Sequence, residues 1–399
     1  MTSSIKKPEI HIITGGGGFP GFSLGKRLAK KGHQVKLLDL KEPVWDLEER
    51  MEFIKVNITD VEMLSTVFKG ASVVYHLASY GMSGREQLNK GLIEKVNIGG
   101  TEAVLKACLE NDVTRLVYTS TYNVIFGGEE IRNGDESLPY LTDDKFTDHY
   151  SKTKMYAEKK VLATNGHLTA SGRTFKCCVL RLAGVYGPGE QRHIPRIVSY
   201  LEQGLVKVTY GAKDSLVDFL HVDNLVQAHE LSAEFLKDEK NSVTAGKAYF
   251  INDNKPINNF EFFRPLFEGL GYGYPKVNLP MTAVFYFAWL IELIYAIISP
   301  VYNFQPLLTR TEVYKTGVTH YFSVASAARD FGYSPTVQND LSGVVAYYRK
   351  LGRVKGHQSS TLVYYLVNAI IIFVIYHIIL FFLPGVTGQT FGNQFNIFN

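Results

Sequence analysis

Apolar positions in the first half of the chain fall in short dense runs separated by stretches of helical length. Residues 9–14 (EIHIIT) read as a buried strand and residues 34–39 (QVKLLD) as a second; MEFIKVNI, SVVYHLA, RLVYTST and KCCVLRL read as further strands. Between the first two, Leu24 and Leu28 recur at helical spacing until Gly32 stops the helix. Runs this short and this apolar suit a parallel sheet covered on both faces. The alternation of strand and helix predicts an α/β, doubly wound parallel sheet of the Rossmann kind. This unit is expected over residues 8–185, with a smaller C-terminal substrate domain over 186–350 from which residues 218–250 return to the first core.

The pattern changes at the far end. Residues 361–383, TLVYYLVNAIIIFVIYHIILFFL, contain no charged side chain. At ~1.5 Å per residue such a helix is about 34 Å long, enough for a hydrocarbon core of ~30 Å, and a transmembrane helix is expected there. Pro384 and Gly385 end it, leaving a short tail, 384–399, without charge. Arg349, Lys350, Arg353 and Lys355 precede it, so the positive-inside rule places the large N-terminal part on the cytosolic side of a single-pass protein. The N-terminus has no signal-like apolar stretch, and insertion from the C-terminal end, into the endoplasmic reticulum membrane, is the expectation. A second apolar run, residues 282–298, carries Glu292 near its middle, and a bare carboxylate at mid-bilayer is costly. That run either packs in the second domain or dips into one leaflet.

Between the first strand and the first helix lie glycines at 15, 18 and 21. Gly15 permits a tight turn, Gly18 lets backbone approach a pyrophosphate, and Gly21 lets helix and strand pack closely. The helix N-terminus offers free N–H groups and the positive end of its dipole to the phosphates. Asp39 closes the second strand 24 residues past Gly15, the distance at which a carboxylate meets the ribose hydroxyls. It would repel a 2′-phosphate, so NAD is favoured over NADP, although Lys41 stands nearby.

Tyr150 and Lys154 lie four residues apart, on one face of a helix. A phenol near pKa 10 is a poor base at neutral pH; a neighbouring ammonium stabilises the phenolate that takes a proton from a substrate hydroxyl. The spacing alone is common. Thr121 at the C-terminal tip of a strand adds a hydroxyl where ligands bind in doubly wound sheets, with a simple cap at the strand end as its other reading. The net charge of +4 comes without a dense basic tract, which argues against nucleic acid. Three cysteines, two of them adjacent, make a poor disulfide framework and suit a reducing compartment. No zinc-type Cys/His spacing occurs, and no metal is expected.

TGGGGFPG, the HLA of residues 76–78, NIGGT from Asn97, YTST, Tyr150 with Lys154, and YGPG from Tyr186 follow in the order of the extended short-chain dehydrogenases/reductases, which the chain resembles over about residues 8 to 350. DFLHVDN from Asp218, YFIN from Tyr249 and HYFS from His320 continue the match. Within that superfamily it resembles the 3β-hydroxysteroid dehydrogenase branch. Runs such as ASYGMSGREQLN and NFQPLLTRTEVYKTGVTHYFS narrow the resemblance to family 42E. The resemblance implies Tyr150 as acid/base, Lys154 as its activator and ribose ligand, Thr121 as the hydroxyl on the substrate oxygen, and Asn97 as the holder of a relay water. For the cofactor it implies Gly15, Gly18, Phe19, Gly21, Asp39, Asn57, Ala78 and Pro188 beside Tyr150 and Lys154, with Pro188 on the nicotinamide face. Asn57 stands where many relatives carry aspartate, and Leu182 where proline is usual. The implied activity is membrane-bound, NAD-dependent interconversion of a secondary alcohol and a ketone on a steroid, sterol or similar lipid; homodimers are common in the superfamily. The same scaffold serves nucleotide-sugar epimerases and could serve as a non-catalytic cofactor-binding scaffold. A 4,6-dehydratase is disfavoured, because Ser120-Thr121-Tyr122 brings no carboxylate.

Overall fold

The computed structural model describes residues 8–82, 84–237, 242–299 and 306–356. The first half runs β1 (Ile10–Thr14), α1 (Phe19–Lys30), β2 (Gln34–Asp39), β3 (Met51–Lys55), α2 (Val61–Phe68), β4 (Val73–His76), α3 (Lys90–Glu94), α4 (Gly100–Glu110) and β5 (Arg115–Thr121). A π-helical stretch, Lys95–Gly99, joins α3 to α4. Then come β6 (Ile131–Gly134), α5 (His149–Thr164), β7 (Lys176–Leu182), β8 (Gly184–Tyr186), α6 (His193–Glu202), β9 (Val208–Tyr210), β10 (Phe219–His221), α7 (Val222–Phe235) and β11 (Ala248–Ile251). The described chain ends with α8 (Asn259–Gly269), β12 (Val277–Leu279), α9 (Met281–Ile298), α10 (Arg310–Gly317), β13 (His320–Phe322), α11 (Ala325–Phe331) and α12 (Ser342–Lys350).

Seven strands form one sheet in the order β11-β7-β5-β4-β1-β2-β3, with every neighbouring pair parallel. The order reverses between β1 and β4, and the crevice above such a point is where doubly wound sheets bind ligands. The sheet's two faces carry separate cores. Adjacent Cys177 and Cys178 of β7 show the division: strand alternation sends Cys178 into the core that includes Leu24, Leu28 and Leu225, and Cys177 into the one that includes Leu64, Val104 and Val161. Both thiols are fully buried and free. Residues 218–250 supply α7 and β11, and β11 is the edge strand beside β7.

A third core, around Ile194, Val198, Phe219, Phe262, Leu266 and Val344, holds α6, α8 and α12 together. A small fourth core joins Val284 and Ala288 of α9 to Val313 of α10. Of the two readings of residues 282–298, the structure shows a helix packed on one face only. Glu292 is held by Arg310, whose backbone N and Nε both donate to it at 2.7 Å. Arg353, one of the basic residues before the apolar run, is paired with Glu202 through its Nε (2.8 Å) and Nη2 (2.6 Å). The expected transmembrane helix at 361–383 and the tail 384–399 lie outside the described residues.

One buried ion pair locks α5 to the sheet. Glu158, fully buried, accepts from Arg181 Nε at 2.9 Å and Nη2 at 2.7 Å, from Tyr140 OH at 2.8 Å and from Ser120 Oγ at 2.5 Å. Losing one partner of such a pair strands a charge in a low-dielectric interior. Arg181→Met is therefore expected to destabilise the protein by about 3 kcal/mol, and adding Glu158→Gln to recover much of that loss, as urea unfolding of the detergent-solubilised chain will show.

Candidate active site

The glycine turn is shaped by contacts that exclude side chains. Gly15 has φ +73°, and a Cβ on it would lie 2.8 Å from the Ala78 amide nitrogen. A Cβ on Gly21 would lie 2.3 Å from the Gly15 carbonyl oxygen. At Gly18 a Cβ would meet only that carbonyl, at 3.4 Å, so this position borders open space. Gly18 caps α1 without a side-chain acceptor, which leaves the first-turn N–H groups for a ligand, and Pro20 in the first turn has no N–H to satisfy. Asp39 is aimed at the turn: its Oδ2 accepts from Gly17 N at 3.1 Å and its Oδ1 from Leu40 N at 2.7 Å. Backbone donors thus hold the carboxylate at the crevice. This cradle fits a dinucleotide, with phosphates at the α1 N-terminus and a ribose at Asp39.

The other cofactor residues expected from the sequence fall differently. Phe19, buried, lies against the Gly187 turn, where a Cβ would come within 3.1 Å of its ring. Ala78 N donates to Thr14 Oγ1 at 3.3 Å, so the β4 loop is tied to the end of β1. Strand β3 stops at Lys55, two residues before Asn57. The exposed Asn57 spends its Oδ1 on Thr59 N and Oγ1 at 3.1 and 3.0 Å, leaving the amide NH₂ as its free recognition group. Pro188 is exposed and packs toward Gly343 at the start of α12.

Tyr150 sits in the first turn of α5, started by Asp148, whose Oδ1 accepts from Ser151 N at 2.7 Å. Its phenol is 6% exposed. Burial raises its pKa, opposed by a hydrogen bond with Ser79 and the charge of Arg192. Thr121 ends β5, and its Oγ accepts from Asn123 N at 3.3 Å and Nδ2 at 2.9 Å. Both acceptor positions are used, so its one proton remains to donate to a ligand oxygen.

Lys154 is one turn beyond Tyr150, yet its ammonium does not face the phenol. Nζ donates to the Thr119 carbonyl at 2.6 Å and lies 4.0 Å above the Tyr118 ring. Burial lowers its pKa to about 7, with the Glu158 charge opposing. Asn97 is presented by the π-helical stretch, an irregularity common at functional sites. Its amide bridges Tyr80 and α5: Oδ1 accepts from Tyr80 N at 2.8 Å, while Nδ2 donates to Tyr80 O at 3.0 Å and Thr153 Oγ1 at 2.9 Å. Behind it, His76 Nδ1 meets Thr14 Oγ1 at 2.7 Å and Nε2 meets Thr101 Oγ1 at 2.9 Å. Burial takes this imidazole's pKa to about 3, so it links the two hydroxyls as a neutral ring.

Ser79, Thr153 and Arg192 were not singled out from the sequence. No local pattern marks these three, whereas His76 heads the HLA run already noted. Among the described residues, Glu9, His11 and His33 bring three potential metal ligands together. Arg115 (2.8 Å) and Lys237 (3.1 Å) already hold the Glu9 carboxylate, and the group lies at the opposite end of β1 from the glycine turn.

A glycine-turn sheet with a phenol and a hydroxyl over its carboxyl edge defines a dinucleotide-dependent oxidoreductase of the short-chain dehydrogenase type. The model of the 3-beta hydroxysteroid dehydrogenase/isomerase family matches residues 12–281, and the chain belongs to that family. It is 52% identical over 388 residues to short-chain dehydrogenase/reductase family 42E member 1 of Macaca fascicularis, covering 96% of this chain and 98% of that one. It is 32% identical over 340 residues to the decarboxylating sterol-4-alpha-carboxylate 3-dehydrogenase of Mus musculus, 85% of this chain and 90% of the relative. Among solved structures, the epimerase Mth375 of Methanothermobacter thermautotrophicus superposes with a TM-score of 0.66 at 21% identity, over 86% of this chain and 93% of that one. At that identity the likeness is one of fold. The protein is thus an NAD-dependent dehydrogenase acting on the CH–OH group of its donor.

Gly15→Ala forces a side chain into a left-handed conformation and against Ala78; NADH affinity is expected to fall at least ~10-fold by fluorescence titration, from roughly 1–3 kcal/mol of strain. A second outcome concerns Lys154. Its folded pKa of about 7 lies below the ordinary lysine value of 10.5, so the unfolded chain binds more protons between these values and stability rises with pH across that window. Lys154→Met lacks this dependence, and the difference in melting temperature between the two cofactor-free proteins should change between pH 7 and 10 and stay flat below.

Proposed function

We propose that the protein is a membrane-anchored, NAD-specific dehydrogenase that interconverts a secondary alcohol and a ketone on a sterol, steroid or similar lipid. The observation that carries the reading is the buried Tyr150 phenol at the carboxyl edge of the sheet, flanked by Ser79 and Arg192, with the Thr121 hydroxyl left free to donate. NAD⁺ held on the glycine turn supplies the hydride acceptor. Thr121 donates to the substrate oxygen and orients it, and Tyr150 removes the hydroxyl proton as the carbonyl forms. Ser79 and Arg192 favour the phenolate against the cost of burial. Lys154, one turn along α5, serves the ribose hydroxyls and, by turning from Thr119, brings its charge toward the phenol. Asn97 keeps Tyr80 and Thr153, and hence the β4 loop and α5, at a constant separation. Asp39 favours NAD over NADP by repelling a 2′-phosphate.

The lipid substrate is supported by the sterol dehydrogenase among the relatives and by the charge-free residues 361–383. The same apolar run supports anchoring at the endoplasmic reticulum with the catalytic part in the cytosol. The test is a substrate panel with the detergent-solubilised full chain and NAD⁺, following NADH absorbance. Sterols with a 3β-hydroxyl are expected to yield NADH. Tyr150→Phe is expected to lower kcat by about 10²–10⁴ while NADH binding is retained. Turnover of UDP-sugars with none of sterols would reverse the assignment in favour of epimerase chemistry.

A further inference from the structure

Oxidation of an alcohol leaves its hydroxyl proton on the phenol, and the next turnover needs that proton gone. Tyr150 is buried, so its proton does not pass straight into bulk water. The two side chains expected to carry it onward are engaged elsewhere. Lys154 Nζ donates to the Thr119 carbonyl at 2.6 Å. The Asn97 amide gives both of its protons to protein, to Tyr80 O at 3.0 Å and to Thr153 Oγ1 at 2.9 Å. The hydroxyl that meets the phenol is that of Ser79.

Ser79 is held between two clamps. On one side Ala78 N donates to Thr14 Oγ1 at 3.3 Å, which ties the loop to the tip of β1. On the other, Tyr80 N donates to Asn97 Oδ1 at 2.8 Å while Tyr80 O accepts from Asn97 Nδ2. The same amide reaches Thr153, whose Oγ1 donates to the Tyr150 carbonyl at 2.8 Å. The neighbours of Ser79 are thus fixed, one to the sheet and the other to the helix that carries the phenol. Ser79 itself is half-buried, so it stands between the enclosed phenol and the surface.

We propose that Ser79 is the proton exit of the active site: its Oγ takes the proton of the Tyr150 O–H as its own hydroxyl proton passes to water. The inference rests on the reading of Tyr150 as the base. A hydroxyl suits both halves of the cycle, because it donates or accepts by rotating about one bond. Before hydride transfer the Ser79 O–H donates to the phenolate; afterwards the phenol donates to Ser79 Oγ. The O–H bonds of Tyr150 and Ser79 break as a new Ser79 O–H and a hydronium O–H form, and NAD⁺ is the only oxidant required. The other groups that face the phenol do not serve. Arg192, from the turn before α6, has no acceptor. Asp148, the cap of α5, is bound by Ser151 N and by Lys315 of α10. Tyr118 of β5 is 1% exposed and has no outlet to water.

The test uses the detergent-solubilised full chain with NAD⁺ and cholesterol as the 3β-hydroxysterol probe, following NADH absorbance and proton release to phenol red in weak buffer. Ser79→Ala is expected to lower kcat at least ~10-fold with KM little changed, and imidazole, a diffusible proton carrier, to recover most of that loss. Ser79→Thr is expected to keep the rate. Ser79→Val, close to threonine in shape but without the hydroxyl, is expected to lose it, which separates the hydroxyl from packing. In the cofactor-free protein the tyrosinate absorbance of Tyr150, taken by difference from Tyr150→Phe, is expected at higher pH in Ser79→Ala than in the unaltered chain. An unchanged kcat in Ser79→Ala overturns the relay and leaves Tyr150 as the base, as does a loss that imidazole does not recover and Ser79→Thr shares. An unshifted tyrosinate titration removes the bond on which the relay depends and overturns it whether or not the sterol is oxidised. Full activity of Tyr150→Phe overturns the reading of the base, and this inference with it.

Discussion

A buried chain of hydrogen bonds fixes the spacing on which the active site depends. It runs from Thr14 at the tip of β1 through His76 and Thr101 to Asn97, and from the Asn97 amide to Tyr80 and Thr153, beside Tyr150. Each link is polar and enclosed, so breaking one strands a donor or acceptor away from water. Such a network is stiff: it ties the strand that ends in the glycine turn to the helix that carries the phenol. The imidazole in its middle stays neutral because burial opposes a charge there.

Around this link the electrostatics are arranged by enclosure rather than by a simple pair of opposite charges. Burial pushes the Tyr150 phenol toward its neutral form and the Lys154 ammonium toward the free amine, each against a favourable neighbour. Ser79 and Arg192 reach the phenol from two different segments, the loop after β4 and the turn before α6. The proton acceptor is thus tuned by the loops of both halves of the molecule, and it is tuned most strongly when the crevice between them is filled and water is excluded.

The smaller layer of helices extends that logic outward. Its own core of phenylalanines holds α6, α8 and α12, while α9 and α10 form a separate arm that touches the catalytic helix through its cap. One side of that arm is polar and engaged with α5. The other is apolar and exposed among the described residues.

The local features were legible in the residues themselves, because they arise from short-range rules. Strand alternation, the glycine spacing at 15, 18 and 21, the acid at the end of β2 and the Tyr150–Lys154 turn all depend on neighbours within a few positions. The parallel sheet followed from them, since short apolar strands separated by helices have few other ways to bury both faces. What only the tertiary structure decided was where long side chains point and who meets whom across it. Four residues of helix place Lys154 on the face of Tyr150, but its flexible stem turns to the Thr119 carbonyl of β5, 35 residues away in sequence. Asn97, read as the holder of a water, spends its amide on Tyr80 and Thr153, and Glu158 of α5 finds Arg181 on β7. Residues 282–298 offered two readings from one apolar pattern, since periodicity records that a helix has faces but not which of them the fold covers. Burial is a property of the assembled chain, and only assembly settles it.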